Sequence, residues 1–104
     1  MANFFIFTNI QIMQLTDLLH LTSDLQPTFK LLSPDQQPIT KIKLGRQTCL
    51  LLTQTGPGLT IGKLQHLLRP SQNLDIEVLV QQQRESRNFF GLRVDMNQQA
   101  VILY

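Results

Sequence analysis

The chain has 104 residues, 42% of them hydrophobic and 15% charged, the length of one ordinary domain with enough apolar content to close a core. Nine Lys and Arg against seven Asp and Glu leave a net charge of +2, far from the strongly basic balance of a histone-like chain. The single cysteine excludes an internal disulfide framework and a multi-cysteine zinc site.

The first expected element is a strand from Asn3 to Ile12, with Phe4, Ile6, Ile10 and Ile12 on one face. Its apolar start is interrupted by Thr8, Asn9 and Gln11 and follows no basic residue, the pattern of neither a leader nor a membrane span. The expectation is a soluble, cytoplasmic protein with no membrane partner. A helix follows. Leu15, Leu18, Leu21, Thr22 and Leu25 form its stripe, Asp17 suits the first turn, and Met13 with Leu18 form a hydrophobic staple, although Gln14 is a poor cap. Strands are then expected over Thr28 to Leu32, Ile39 to Leu44 and Thr48 to Thr53. The last contains Cys49 in the run TCLLL, whose two apolar faces mark a central, covered strand.

After the turn at Gly56, Pro57 and Gly58 comes a second helix, capped by Thr60 and carrying Ile61, Leu64, Leu67 and Leu68 on one side until Arg69 and Pro70 stop it. The string GPGLTIGKL superficially resembles a phosphate-binding loop. The required first glycine is Pro57 and the magnesium-ligating hydroxyl is replaced by Leu64, so it reads as a turn and a helix start. Strands over Asp75 to Val80, Phe89 to Asp95 and Gln99 to Tyr104 complete the series, with Gln81 to Arg87 as a polar hairpin loop.

The order of elements repeats. Met13, Leu15, Leu18, His20 and Leu21 precede Leu59, Ile61, Leu64, His66 and Leu67 by 46 positions, Ile42 to Leu44 align with Leu92 to Val94, and Leu50 to Leu52 with Val101 to Leu103. The predicted fold is therefore a single α+β domain spanning 1–104. It consists of an N-terminal strand and a duplicated helix-strand-strand-strand unit over about 13–54 and 58–104, in a mostly antiparallel sheet with two helices on one face.

The segment LTIGKLQHLL followed by DIEVLV resembles the openings of small uncharacterised bacterial and phage α+β proteins, with a Leu-Thr-capped helix before an Asp-x-x-Val-x-Val strand. The likeness covers Leu59 to Val80 and implies no active-site residues.

His20 and His66 sit two residues beyond core leucines and so point to solvent. No paired-acid spacing and no base for Cys49 are visible, so no catalytic residue, metal or cofactor is expected, and the chain is read as a non-enzyme. Alternation sends Lys41 and Lys43 outward if Ile42 and Leu44 face the core, and Phe89 and Arg93 outward if Phe90, Leu92 and Val94 do. With Arg46 and Arg87 these form a candidate binding surface: Lys41, Lys43, Arg46, Arg87, Phe89 and Arg93. The leading reading is a protein-interaction or accessory module with a protein partner or a homodimer contact. The alternative is a small nucleic-acid-binding protein using a basic sheet face.

Overall fold

The computed structural model describes the backbone of residues 3–6 and all of residues 12–104. Helix α1 (Leu15–Thr22) begins where the Asp17 carboxylate accepts the Gln14 N–H at 3.1 Å. This contact satisfies a donor at the helix entry and offsets the weak cap. Its buried face is Leu15, Leu18, Leu19 and Thr22, while Leu21 and Leu25 pack at the margin of the core. Helix α2 (Ile61–Leu68) starts at Thr60, whose Oγ1 accepts the Lys63 N–H at 3.2 Å. Ile61, Leu64 and Leu68 are buried, but Leu67 is exposed. At about 100° per residue it lies roughly 90° from the centre of the buried stripe. Gly62 matters for packing: its N–H donates to Pro27 O at 2.9 Å, and a Cβ there would stand 3.1 Å from Pro27 Cβ. The loop leaving α1 lies against α2 because Gly62 has no side chain.

The described residues form eight strands: β1 (Asn3–Ile6), β2 (Lys30–Leu32), β3 (Lys41–Leu44), β4 (Thr48–Thr53), β5 (Glu77–Gln82), β6 (Glu85–Arg87), β7 (Leu92–Asp95) and β8 (Ala100–Leu103). The protein adopts the α+β class, with its strands divided between two four-stranded sheets, β1-β7-β8-β2 and β3-β4-β5-β6. Most ladders are antiparallel, and each sheet contains one parallel pair, β2–β8 or β4–β5. The β4–β5 pair needs a crossover, which α2 supplies. Each sheet draws two strands from each half of the sequence, so the halves interleave.

The sheets are also stitched together. Leu15 N–H donates to Ile76 O at 2.9 Å and Val78 N–H to Met13 O at 2.7 Å; Leu31 N–H donates to Leu59 O at 2.9 Å and Ile61 N–H to Phe29 O at 2.8 Å. Ile39 then joins β2 to the entry of β3, donating to Leu31 O at 3.0 Å and accepting from Leu59 N–H at 2.7 Å. A main core shared by both halves results, with Leu15, Leu18, Leu64, Ile39, Leu51, Phe89 and Leu103 in the same cluster, beside a small second cluster of Leu32, Ala100 and Ile102.

Three expectations change here. The strand expected from Asn3 to Ile12 is described only as β1, because residues 7–11 lie outside the described residues, and Ile12 is exposed. Gln81 to Arg87 is a hairpin, as expected, but it is mostly paired strand rather than loop: Gln82 pairs with Glu85, leaving a two-residue turn with Gln83 at φ 57°. Finally, Phe89 is buried and Phe90 exposed, the reverse of the expected alternation. The N–H groups of Phe90 and Gly91 both donate to Tyr104 O, at 2.6 and 3.1 Å. Two residues facing one is a β-bulge, and the extra residue shifts the phase of every side chain before it. The entry to β3 has the same feature: Thr40 N–H donates to Leu52 O at 2.9 Å although the register partner of Leu52 is Lys41. Ile39 is accordingly buried.

Candidate functional site

The cations of the predicted surface do not form one face. Lys41, Lys43 and Arg46 are exposed together on β3 and the turn after it. Arg87 lies in β6, at the opposite edge of the same sheet, with its Nη1 3.6 Å from Asp35 Oδ2. Arg93 belongs to β7 in the other sheet, 3.9 Å from Asp95 Oδ2. Phe89, the proposed aromatic of that face, is sealed in the core by the bulge.

Cys49 is fully buried in β4, and burial pushes its thiol up to about 11. At neutral pH it is protonated and enclosed, as the run of leucines predicts, and neither state suits a nucleophile. His20 and His66 are exposed, as expected. They border two open grooves, of about 480 and 590 Å³, on either side of the α1–α2 contact. Between those grooves Gln65 ties the helices: its Nε2 donates to Leu19 O at 2.8 Å and to Thr22 Oγ1, while its Oε1 accepts from Arg69 Nη2 at 3.2 Å. Among the described residues no group of three His, Cys, Asp or Glu is placed to hold a metal ion, and no helix is long and apolar enough to cross a membrane.

The outer edge of β3 is one of the edges the strand order leaves without a neighbour among the described residues, with β6 at the far side of the same sheet and β1 and β2 at the two sides of the other. Gly45 N–H donates to Thr48 O at 2.8 Å, closing a two-residue turn at Arg46 and Gln47. Counting back in twos along the register Lys43 to Leu50 and Lys41 to Leu52, the backbone groups of Lys41 and Lys43 face β4. Those of Ile42 and Leu44 face away from it. Among the described residues no strand pairs there. Above this edge stand the exposed ammonium groups of Lys41 and Lys43; on the other face Ile42 packs partly against the core and Leu44 is 44% exposed. Hairpin β7–β8 shows what such an edge accepts. Its outer strand β7 carries β1 antiparallel, with Ile6 opposite Leu92, Phe5 opposite Arg93 and Phe4 opposite Val94.

No protein-family model, curated protein or solved structure matches this chain.

Sequence reasoning found the lysines of β3 but not the edge beneath them, because alternation identifies the faces of a strand and not its neighbours. It also missed a polar hollow of about 640 Å³ lined by Asp35, Gln37, Gln54, Gln82 and Gln83, in which the buried Oε1 of Gln82 has no hydrogen-bond donor. The run Gln81 to Gln83 and the pair Gln36 and Gln37 read as polar turn segments, and nothing in their spacing shows that the fold brings them together.

Proposed function

We propose that the protein is a non-enzymatic interaction module that accepts an extended segment of a partner along the outer edge of β3. One observation carries this reading: two hairpins of like construction, β3–β4 and β7–β8, each continue into a parallel third strand, yet among the described residues only the second has a strand, β1, on its outer side. A row of outward N–H and C=O groups is a template for strand addition, in which main-chain hydrogen bonds supply affinity and alternating side chains supply specificity. The same likeness supports a duplicated unit. Gln14 bridges to Glu77 as Thr60 bridges to Lys30. In this scheme Cys49 to Leu51 correspond to Val101 to Leu103, one residue earlier than the sequence alignment sets them.

The reading requires that the edge be open in the free protein. Amide hydrogen exchange tests this residue by residue: Lys43, turned toward β4, exchanges slowly, whereas Ile42 and Leu44 exchange at the rate of exposed loops. Slow exchange at Ile42 and Leu44 in the free, dilute protein would show the edge already filled and would overturn the proposal.

A further inference from the structure

Resting on that strand-acceptor reading, we infer that the occupant is an antiparallel strand of a different protein. It carries Asp or Glu opposite Lys41 and Lys43 and apolar side chains opposite Ile42 and Leu44. The backbone sets the register. Ile42 and Leu44 turn their N–H and C=O outward, so they form the hydrogen-bonded pairs with an incoming antiparallel strand. Lys41 and Lys43 then occupy the non-hydrogen-bonded pairs, where opposite side chains approach most closely. A residue opposite each lysine lies on the same face of the sheet as that lysine, and opposite charge there is favourable whereas like charge is not. Arg46, exposed in the turn that ends β3, adds a third cation at one end.

Charge also decides between candidate occupants. Two copies meeting antiparallel through β3, centred on Ile42 or Lys43 so that the strands overlap most fully with both apolar faces on one side, set lysine against lysine, and the chain is already net positive at +2. A basic or uncharged strand leaves the two ammonium groups without partners. An acidic strand alternating with apolar residues satisfies both faces, its apolar side chains covering the exposed part of Leu44. The strand that fills the corresponding place on β7 shows that this pairing geometry is one the fold supports, and there too a cation, Arg93, stands opposite the middle of the incoming strand.

The test uses the whole protein, isotope-labelled, titrated with three peptides. One is a capped nonapeptide alternating Val and Glu, the second alternates Val and Lys, and the third copies residues Asn3 to Phe7. The expected result is that the Val-Glu peptide slows exchange at Ile42 and Leu44, binds more weakly as salt rises, and loses about tenfold in affinity when Lys41→Glu and Lys43→Glu are combined. Equal protection by the Val-Lys peptide would overturn the acidic partner while leaving strand addition at β3 in place. Preferential binding of the Asn3 to Phe7 peptide would assign the edge to a second copy and overturn the inference. Failure of the Val-Glu peptide to bind at millimolar concentration would do the same. Protection confined to Glu85 to Arg87 would overturn both the partner and the choice of edge. The lysine substitutions are at exposed positions, so an unchanged melting temperature separates loss of binding from loss of fold.

Discussion

Replacing Phe89 with alanine tests the bulge that reverses the two phenylalanines. Phe89 is 0% exposed and belongs to the main core cluster, whereas Phe90 next to it is 47% exposed. Truncating a fully buried phenylalanine costs about 3–5 kcal/mol, because the transfer energy of the ring is lost and the cavity closes only in part. Removing a half-exposed one costs about 1 kcal/mol. A domain of this length has on the order of 5–15 kcal/mol of total stability. Phe89→Ala therefore stays folded in the better part of that range but melts on the order of 15–30 °C lower. Urea titrations followed by circular dichroism give the comparison directly, provided both variants retain the wild-type dependence on denaturant and so unfold from the same compact state. If Phe90→Ala proved the more damaging of the two, the phase shift at Phe90 and Gly91 would be wrong, and Phe89 would return to the surface as a candidate contact.

Expressed separately, residues 1–56 and 57–104 should each lack a cooperative unfolding transition, since both sheets need strands from both halves; a sharp melt in either fragment would refute the interleaved core. Cys49 should resist thiol reagents at pH 7–8 in native buffer and react at once in denaturant. Its thiol titrates only near pH 11, and rapid native labelling would show β4 to be uncovered. The Asp95 carboxyl is held below its ordinary range, first by the Gln98 side chain at 2.8 Å, then by the Gln98 and Asn97 N–H groups at 3.2 and 3.0 Å and by Arg93. A depressed folded-state value contributes stability above the unfolded carboxylate range and loses it as pH falls through the folded one. Asp95→Asn should thus destabilise the protein at pH 7 and make little difference in strong acid; a pH-independent effect in thermal melts would contradict the assignment.

What was legible in the sequence is what local chemistry determines. Thr60 caps α2 because a hydroxyl three residues before a free N–H is a local fact, and Cys49 is buried because the leucines after it cover both faces of one strand. The hairpin after β5 was legible, but the tightness of its turn and the strand β6 were not, because Gln83 and Arg84 lack the Asn-Gly or Asp-Gly signature of a two-residue turn. Phe89 escaped because alternation from Leu92 and Val94 runs backward correctly only until a bulge intervenes, although Gly91, a residue that often marks one, stood beside it. The basic face failed for a different reason. Lys43 and Arg93 have the same local setting, a cation between core residues on a strand, but pairing places their strands in different sheets. No periodicity encodes that.

The interleaving explains why the two hairpins differ at their outer edges. Each hairpin is covered on its inner side by a strand from the other half of the chain, β5 on β4 and β2 on β8, so within the two hairpins the outer strands β3 and β7 are the ones left to be paired. On β7 the chain closes its own edge with β1. On β3 no described residue does so, and an uncovered edge is a liability for self-association unless something prevents it. Lys41 and Lys43 are the prevention: outward lysines on an edge strand repel a second copy of the same edge. That repulsion selects by sign rather than blocking every strand, because a carboxylate at the opposing position turns the same two charges into attraction. Substituting both lysines with Glu should therefore reverse the preference as well as weaken it, admitting the Val-Lys peptide to the edge that the wild-type protein closes to it. If the doubly substituted protein binds neither peptide, the lysines protect the edge without defining its partner.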